Sequence, residues 1–384
     1  MMGTLTKQPA EAVFLAARRG HQMQGRQQRG MTLVEWMVAI TIGLVLLAGI
    51  SLLIAQQSST QAELEKSSRQ IENGRYAMQL MAQDVQMAGY FGEYSSAGTL
   101  TPPGTLPAAC SLDAAVLSAS VPFAVQGYSN IGGTWPTEFS ACPAGFALAN
   151  HKSGTDILVV RRAEPIATAS GSLKQGQFYL QSGIAPSGLT FNFVLAAATA
   201  TTVDTSVFNL LNKAGTTAPL REFVTHIYFV SPCSTPNNGS TCSSTNTDDG
   251  GASVPTLKRL ELTNSGTSPA FSVVPMVEGI DNFQVDYGID VDGDGAADTY
   301  VEDLGATVTI NGATKTLTVA DWANVVSLKM HILARNNEKS PGFIDGKSYD
   351  LGLSGSTTAT NDAFKRRVFS QTVRLVNVSA RRAP

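Results

Sequence analysis

The chain has 384 residues, with 27 Lys/Arg against 30 Asp/Glu and charged residues at 15%. This length allows one large domain or two smaller ones beyond an anchor. Basic charge is not clustered, which argues against a nucleic-acid surface, and the wealth of Gly, Ser, Thr and Ala suits an exported, loop-rich β protein.

Residues 1–30 read as a basic leader carrying Lys7, Arg18, Arg19, Arg26 and Arg29, with Met1, Met2 or Met23 as the translation start. The stretch Gly30-Met31-Thr32-Leu33-Val34-Glu35 follows, and Glu35 is the only ionisable side chain between Met31 and Ala62. Trp36 to Ala55 supplies about 20 residues, enough for a helix to cross a bilayer core. The arginines before this span, with no acid between Glu11 and Glu35, put the amino terminus in the cytoplasm and the remainder outside. A secretory signal would be cut after its apolar run. Here the small residue, Gly30, precedes the run, so a cut there leaves the span on the mature chain with Met31 first. An acid at the edge of a membrane helix is costly, up to about 2.5–3.5 kcal/mol at the centre, so Glu35 needs either a partner or a route to water.

The helix should continue past the membrane. Leu64, Ile71, Met78 and Val85 recur every seven residues, Met81, Ala82 and Ala88 widen the stripe, and no proline occurs from Met31 to Phe91. That pattern predicts an amphipathic helix laid on an apolar surface. Gly43, Gly49 and Gly74 are soft points, and Gly89 and Gly92 end the helix. The expected division is residues 1–30 as leader, 31–56 as membrane half, 57–92 as amphipathic half and 93–384 as a β-rich head.

Between Glu93 and His151 the composition predicts loops and short elements. Strands are predicted at Thr155–Arg162, Gln177–Gln181, Leu189–Leu195, Glu222–Val230, Leu257–Thr263, Phe271–Val277 and Phe283–Ile289. Ser234–Ser253 reads as a polar, flexible excursion. Val326, Leu328, Met330 and Ile332 alternate with Ser327, Lys329 and His331, a half-buried strand, and Val368–Val378 closes the chain in the same style. A long helix followed by many strands gives an α+β fold in which the helix packs on an antiparallel sheet.

Cys110, Cys142, Cys233 and Cys242 all follow the span, where an oxidising compartment favours disulfides. Three pairings exist; Cys110–Cys142 with Cys233–Cys242 closes the shorter loops. Zinc is the competitor, without a Cys-x-x-Cys pair to support it. His21, His151, His226 and His331 fall in no recognised catalytic motif, and no hydrolase, zinc-protease or P-loop pattern occurs. One constellation carries chemistry. Asp290, Asp292, Asp294 and Asp298 occupy positions 1, 3, 5 and 9 of an EF-hand-like loop, with Gly295 at the turn and the Ala296 carbonyl available. The twelfth position is Val301, beside Glu302 and Asp303. The loop is a candidate calcium site, and a solvated Asp-Gly hairpin is the alternative.

The junction, with its basic flank, Gly30, Met31, Thr32-Leu33, Glu35 and apolar span, resembles the class III signal of type IV prepilins. The strand Thr155–Arg162, the Asp-rich turn Tyr287–Tyr300 and the segment Arg366–Asn377 resemble the large minor pilins of the PilW type. The resemblance implies a low-abundance structural subunit in type IV pilus assembly, not an enzyme. It implies cleavage by prepilin peptidase after Gly30, methylation at Met31, and pairing of Glu35 with the terminal amine of a neighbouring subunit. It also implies an inner-membrane anchor with a periplasmic, later extracellular, head that meets major and minor pilins and a tip adhesin. A minor pseudopilin of type II secretion shares the signal, while a membrane-anchored periplasmic enzyme or binding protein would need neither Gly30 nor Glu35.

Overall fold

The computed structural model describes residues 30–93, 101–186, 191–243, 247–310, 312–358 and 361–382. The basic leader before Gly30 lies outside them, as do the first two positions of the strand predicted at Leu189–Leu195 and part of the excursion at 234–253.

One helix, α1 (Leu33–Met87), dominates the start of the chain. The chain divides into two units, the first ending at Thr60 and the second beginning at Gln61. In the first unit α1 is long and apolar enough to cross a membrane, and none of that stretch is buried. In the second unit the rest of α1 is a core element: Ala77, Met78, Met81, Ala82 and Val85 are buried in the largest hydrophobic cluster. The seven-residue stripe holds at its carboxy-terminal end and fails at its start, where Leu64 is 67% exposed. Met87 ends the helix, and Gly89 takes the left-handed conformation (φ 72°) that a helix C-terminus favours.

Two antiparallel sheets follow. The larger is built from β1 (Val125–Ile131), β2 (Thr155–Ala163), β3 (Phe178–Ile184), β4 (Phe191–Ala197), β5 (Leu220–Ser231), β6 (Thr256–Ser265) and β7 (Ser268–Glu278). Its order is β1-β2-β5-β3-β4, with β6 paired to β5 and β7. The smaller sheet combines β8 (Ile280–Ile289), β9 (Thr299–Val301), β12 (Val325–Arg335) and β15 (Arg366–Arg374) in the order β15-β12-β8-β9. Short hairpins β10 (Thr307–Ile310) with β11 (Ala313–Thr316), and β13 (Ser348–Asp350) with β14 (Ser356–Thr358), lie beside it.

Strand periodicity explains the layering. Every residue of β2 is buried, because successive side chains point to opposite faces and both faces are covered. Leu158 and Val160 join the cluster containing α1. Ile157 and Val159 join a second cluster with Phe139, Phe146, Ile227 and Phe229. The stretch expected as loops and short elements does carry short elements, and its described residues pack as a layer. It contains β1, a short helix α2 (Ala114–Ser120) and an aromatic cluster in which Phe146 meets Phe229 at 4.7 Å. Asp113 caps α2 by accepting the N–H of Ala115 at 2.7 Å. The interruptions at Gly127 and Ser129 hide β1 from a reading of alternation.

Three further expectations are corrected. The last strand stops at Arg374, and Val376–Arg382 forms a helix, α3. The described part of the polar excursion is tied down: Asp248 accepts the N–H groups of Asn237 and Ser243, and Asp249 those of Ser234, Thr235 and Val254. The polar side of β12 is partly covered, because the turn after β13 lies over its neighbour β8, where Leu353 N–H donates to Asp286 and Ser354 to Gln284.

Gly74 shows how tightly α1 seats. A Cβ there would stand 2.2 Å from the Phe369 ring of β15. Helix propensity alone favours alanine over glycine by about 1 kcal/mol. We expect Gly74→Ala to lower the melting temperature nonetheless, and Phe369→Leu in the same chain to recover part of the loss. A thermal melt of Gly74→Ala at or above wild type would contradict this seating.

Candidate functional site

The junction comes first. Gly30 and Met31 are exposed. Thr32 and Glu35 form a reciprocal cap at the start of α1: Thr32 N–H donates to Glu35 Oε2 at 3.1 Å, and Glu35 N–H to Thr32 Oγ1 at 3.2 Å. This is a capping box. Glu35 thus has a local duty that the sequence reading did not assign, although Thr-x-x-Glu is its recognised signature.

The second constellation holds α1 to the head. Asp84 lies on the buried side of α1, 5% exposed. Arg162 of β2 donates from Nε to Oδ1 at 2.7 Å. On Oδ2, His226 Nδ1 of β5 stands at 2.6 Å and the Tyr228 hydroxyl donates at 2.9 Å. An ionised carboxylate only accepts, so the imidazole nitrogen carries the proton here. Arg162 also donates to Glu164, and Arg259 to Glu261 and Tyr228. Burial alone would raise the Asp84 carboxyl, but the hydrogen bond and charge of His226 and the charge of Arg162 hold it well below the usual carboxylate range. The sequence does carry one sign of this site: an acid standing between Met81 and Val85 on the apolar stripe.

The acidic loop joins β8 to β9. One carboxylate oxygen from each of Asp290, Asp292 and Asp294 falls within 4.8 Å of the others. Their backbone turns are built by the same side chains: Asp290 accepts from Gly293 and Gly295, and Asp294 from Ala296. Asp298 stands outside that group of three and accepts the N–H groups of Val291 at 2.7 Å and Asp292 at 3.4 Å. Ala296 is exposed. Buried Asp290 already meets a cation, Arg382 Nε of α3 at 3.3 Å. Ser379 and Arg374 donate to Gly295 O at 2.5 and 3.2 Å. The other side of α3 reaches α1. Asn377 Nδ2 lies 3.3 Å from the carbonyls of Met87 and Ala88, and Arg381 donates to Gly89 O. So α3 joins the end of α1 to the loop.

All four cysteines are paired, Cys110–Cys142 and Cys233–Cys242, with Cα separations of 5.1 and 5.7 Å. The first bridge pins the aromatic layer, and the second closes the base of the polar excursion. His331 meets Ser370 at 2.8 Å on the covered side of the smaller sheet, and His151 meets the Thr155 hydroxyl at 3.1 Å.

Residues 244–377 match the family described as Type IV Pilus-assembly protein W, and residues 25–51 match the prokaryotic N-terminal methylation motif. The chain carries a PilW-type region and a prepilin-type methylation motif. The methylation motif spans the junction and the first turns of α1, and the PilW-type region spans the smaller sheet and the acidic loop. No curated protein matches the chain. Among solved structures, a type IV-like pilin from Thermus thermophilus is 14% identical. The match covers 40% of this chain and 79% of that one, with a TM-score of 0.21, too low to carry weight.

The Asp84 site yields a pH prediction. A carboxyl held below its ordinary value stabilises the fold fully above about pH 4 and progressively less as the pH falls below that. Asp84→Asn should cost about 3–5 kcal/mol at neutral pH, since it leaves Arg162 buried and underpaired. In denaturant unfolding, the gap between variant and wild type should narrow below about pH 4. A gap constant from pH 7 to pH 3 would show that the charge of Asp84 is not what matters.

Proposed function

We propose that this protein is a minor pilin, a low-abundance structural subunit taking part in type IV pilus assembly. The observation that carries this reading is the coincidence of the Gly30–Glu35 junction with a single helix that is apolar through its first unit and a core element in its second. On this reading the leader is cut between Gly30 and Met31, the apolar part of α1 anchors the chain in the inner membrane, and the head faces the periplasm. Its role is structural and non-catalytic, and its partners are prepilin peptidase and other pilins. Peptide mapping of the protein from its native membrane should find Met31, N-methylated, as the first residue. An intact leader would remove the reading.

Glu35 has two separable roles in this account. Its hydrogen bonds cap α1, and its charge pairs with the terminal amine of a neighbouring subunit, an attraction strengthened by low dielectric. Glutamine also serves in a capping box. Glu35→Gln should therefore keep the helix start and membrane insertion yet reduce recovery of the subunit in sheared pili. Normal incorporation of Glu35→Gln would reduce Glu35 to a cap.

The acidic loop is proposed as a weak calcium site, supported by the three gathered carboxylates. Arg382 competes for Asp290 in this arrangement. The protein should melt higher in millimolar calcium than in chelator, and Asp292→Ala with Asp294→Ala should abolish the difference. Arg382→Ala should tighten calcium binding. Superimposable melts with calcium and chelator would leave the loop a hydrogen-bonded turn.

A further inference from the structure

The head contains a cavity of 280 Å³ bordered by Lys152, Asp281, Asn282, Arg335, Thr357 and Arg366. Its cations are unequally matched. Arg366 donates to Asp281, Asp345 and Asp362. Lys152 donates to the carbonyl and the carboxylate of Asp281. Burial alone would raise the Asp281 carboxyl, but the charges of Lys152 and Arg335 hold it at about 2. Arg335 feels the charge of Asp281 but, among the described residues, bonds no carboxylate. It donates from Nη2 to one neutral acceptor, Ser253 O, at 3.0 Å, and its Nε is buried with no hydrogen-bond partner among those residues. Its face is stacked on the Phe364 ring at 4.1 Å, and with Nε buried the donors left for a ligand are those at the Nη end of the guanidinium. Burial pushes its pKa down, as expected of a cation whose hydration has been removed without full replacement.

We propose that this cavity binds a small monocarboxylate bearing a hydroxyl or amino group, with Arg335 gripping the carboxylate. A planar guanidinium edge matches a carboxylate with paired, parallel hydrogen bonds. The volume lies at the small end of ligand pockets and admits a molecule of amino-acid or hydroxy-acid size. The lining also holds Asp281, Asp362 and Thr357. These repel a doubly charged phosphate and welcome a hydroxyl or ammonium donor on the ligand. A free acid and the terminal carboxylate of a peptide present the same chemistry.

Calorimetry on the full-length protein in detergent tests this with glycolate, glycine, acetate, triglycine and inorganic phosphate as probes. Glycolate or glycine should bind saturably at one site, acetate several-fold more weakly, and phosphate not at all. Triglycine binding as well as glycine assigns the site to peptide ends, and weaker triglycine binding assigns it to free acids. Arg335→Gln should abolish binding. Arg335→Lys keeps the charge, loses the fork and should weaken binding roughly tenfold or more. It carries the test if the glutamine variant does not fold. Arg335 also borders a groove beside Lys66 and Gln70, so Thr357→Val, at a residue that borders the cavity and not the groove, should weaken binding as well. No heat from any carboxylate, or binding unchanged in both Arg335→Lys and Thr357→Val, would overturn the proposal.

Discussion

A carboxylate placed on the apolar side of a helix must be answered by donors or be neutralised, and the answer given to Asp84 organises this head. Arg162 comes from β2 and His226 and Tyr228 from β5, so one side chain of α1 engages two central, adjacent strands of the larger sheet. Around this polar point the contact is apolar, with Met81, Ala82 and Val85 packed against Leu158, Val160 and Val230. Apolar burial supplies most of the attraction but is non-directional. The charged pairing fixes the helix in one rotation and register, because any other setting strands a buried charge.

Other contacts fix α1 along its length within the second unit. Gln70 donates to the carbonyls of Ala334 and Lys365, each at 2.8 Å, and Glu63 accepts from Ser340 and Lys365, both at 2.7 Å. At the other end, α3 meets the last carbonyls of α1, groups that no helix can satisfy internally. The same short helix sets Arg382 against Asp290. The acidic loop and the seating of the end of α1 therefore share one small element. These contacts fix the part of α1 that belongs to the second unit.

Much of this was legible in the sequence. The junction at Gly30–Glu35 is a local pattern. The strands Thr155–Arg162 and Glu222–Val230 are dense in β-branched and aromatic residues, and both appear within two residues of their expected ends. What escaped was non-local. Asp84 and Arg162 are far apart in sequence, and each alone reads as an ordinary charged residue. β1 is short and carries Gly127, where a Cβ would collide with the Tyr287 hydroxyl at 1.8 Å. Its identity depends on a partner strand and a neighbouring ring. α3 follows a run of β-formers and becomes a helix because Asn377, Ser379 and Arg381 find acceptors on α1 and the acidic loop. The under-matched Arg335 was invisible for the same reason, since its lack of a carboxylate partner among the described residues is a property of the assembled fold.

The central claim is that the carboxy-terminal part of α1 belongs to the core of the head, held there by Asp84. Native-state hydrogen exchange on the full-length protein measures this directly. The amides from Gln70 to Val85 should exchange with the protection of β12 and open only when the whole head unfolds. In Asp84→Asn, the same amides should lose protection ahead of the sheet. Fast exchange of this stretch in the wild type, with β12 still protected, would mean that the helix merely rests on the head and would contradict the account.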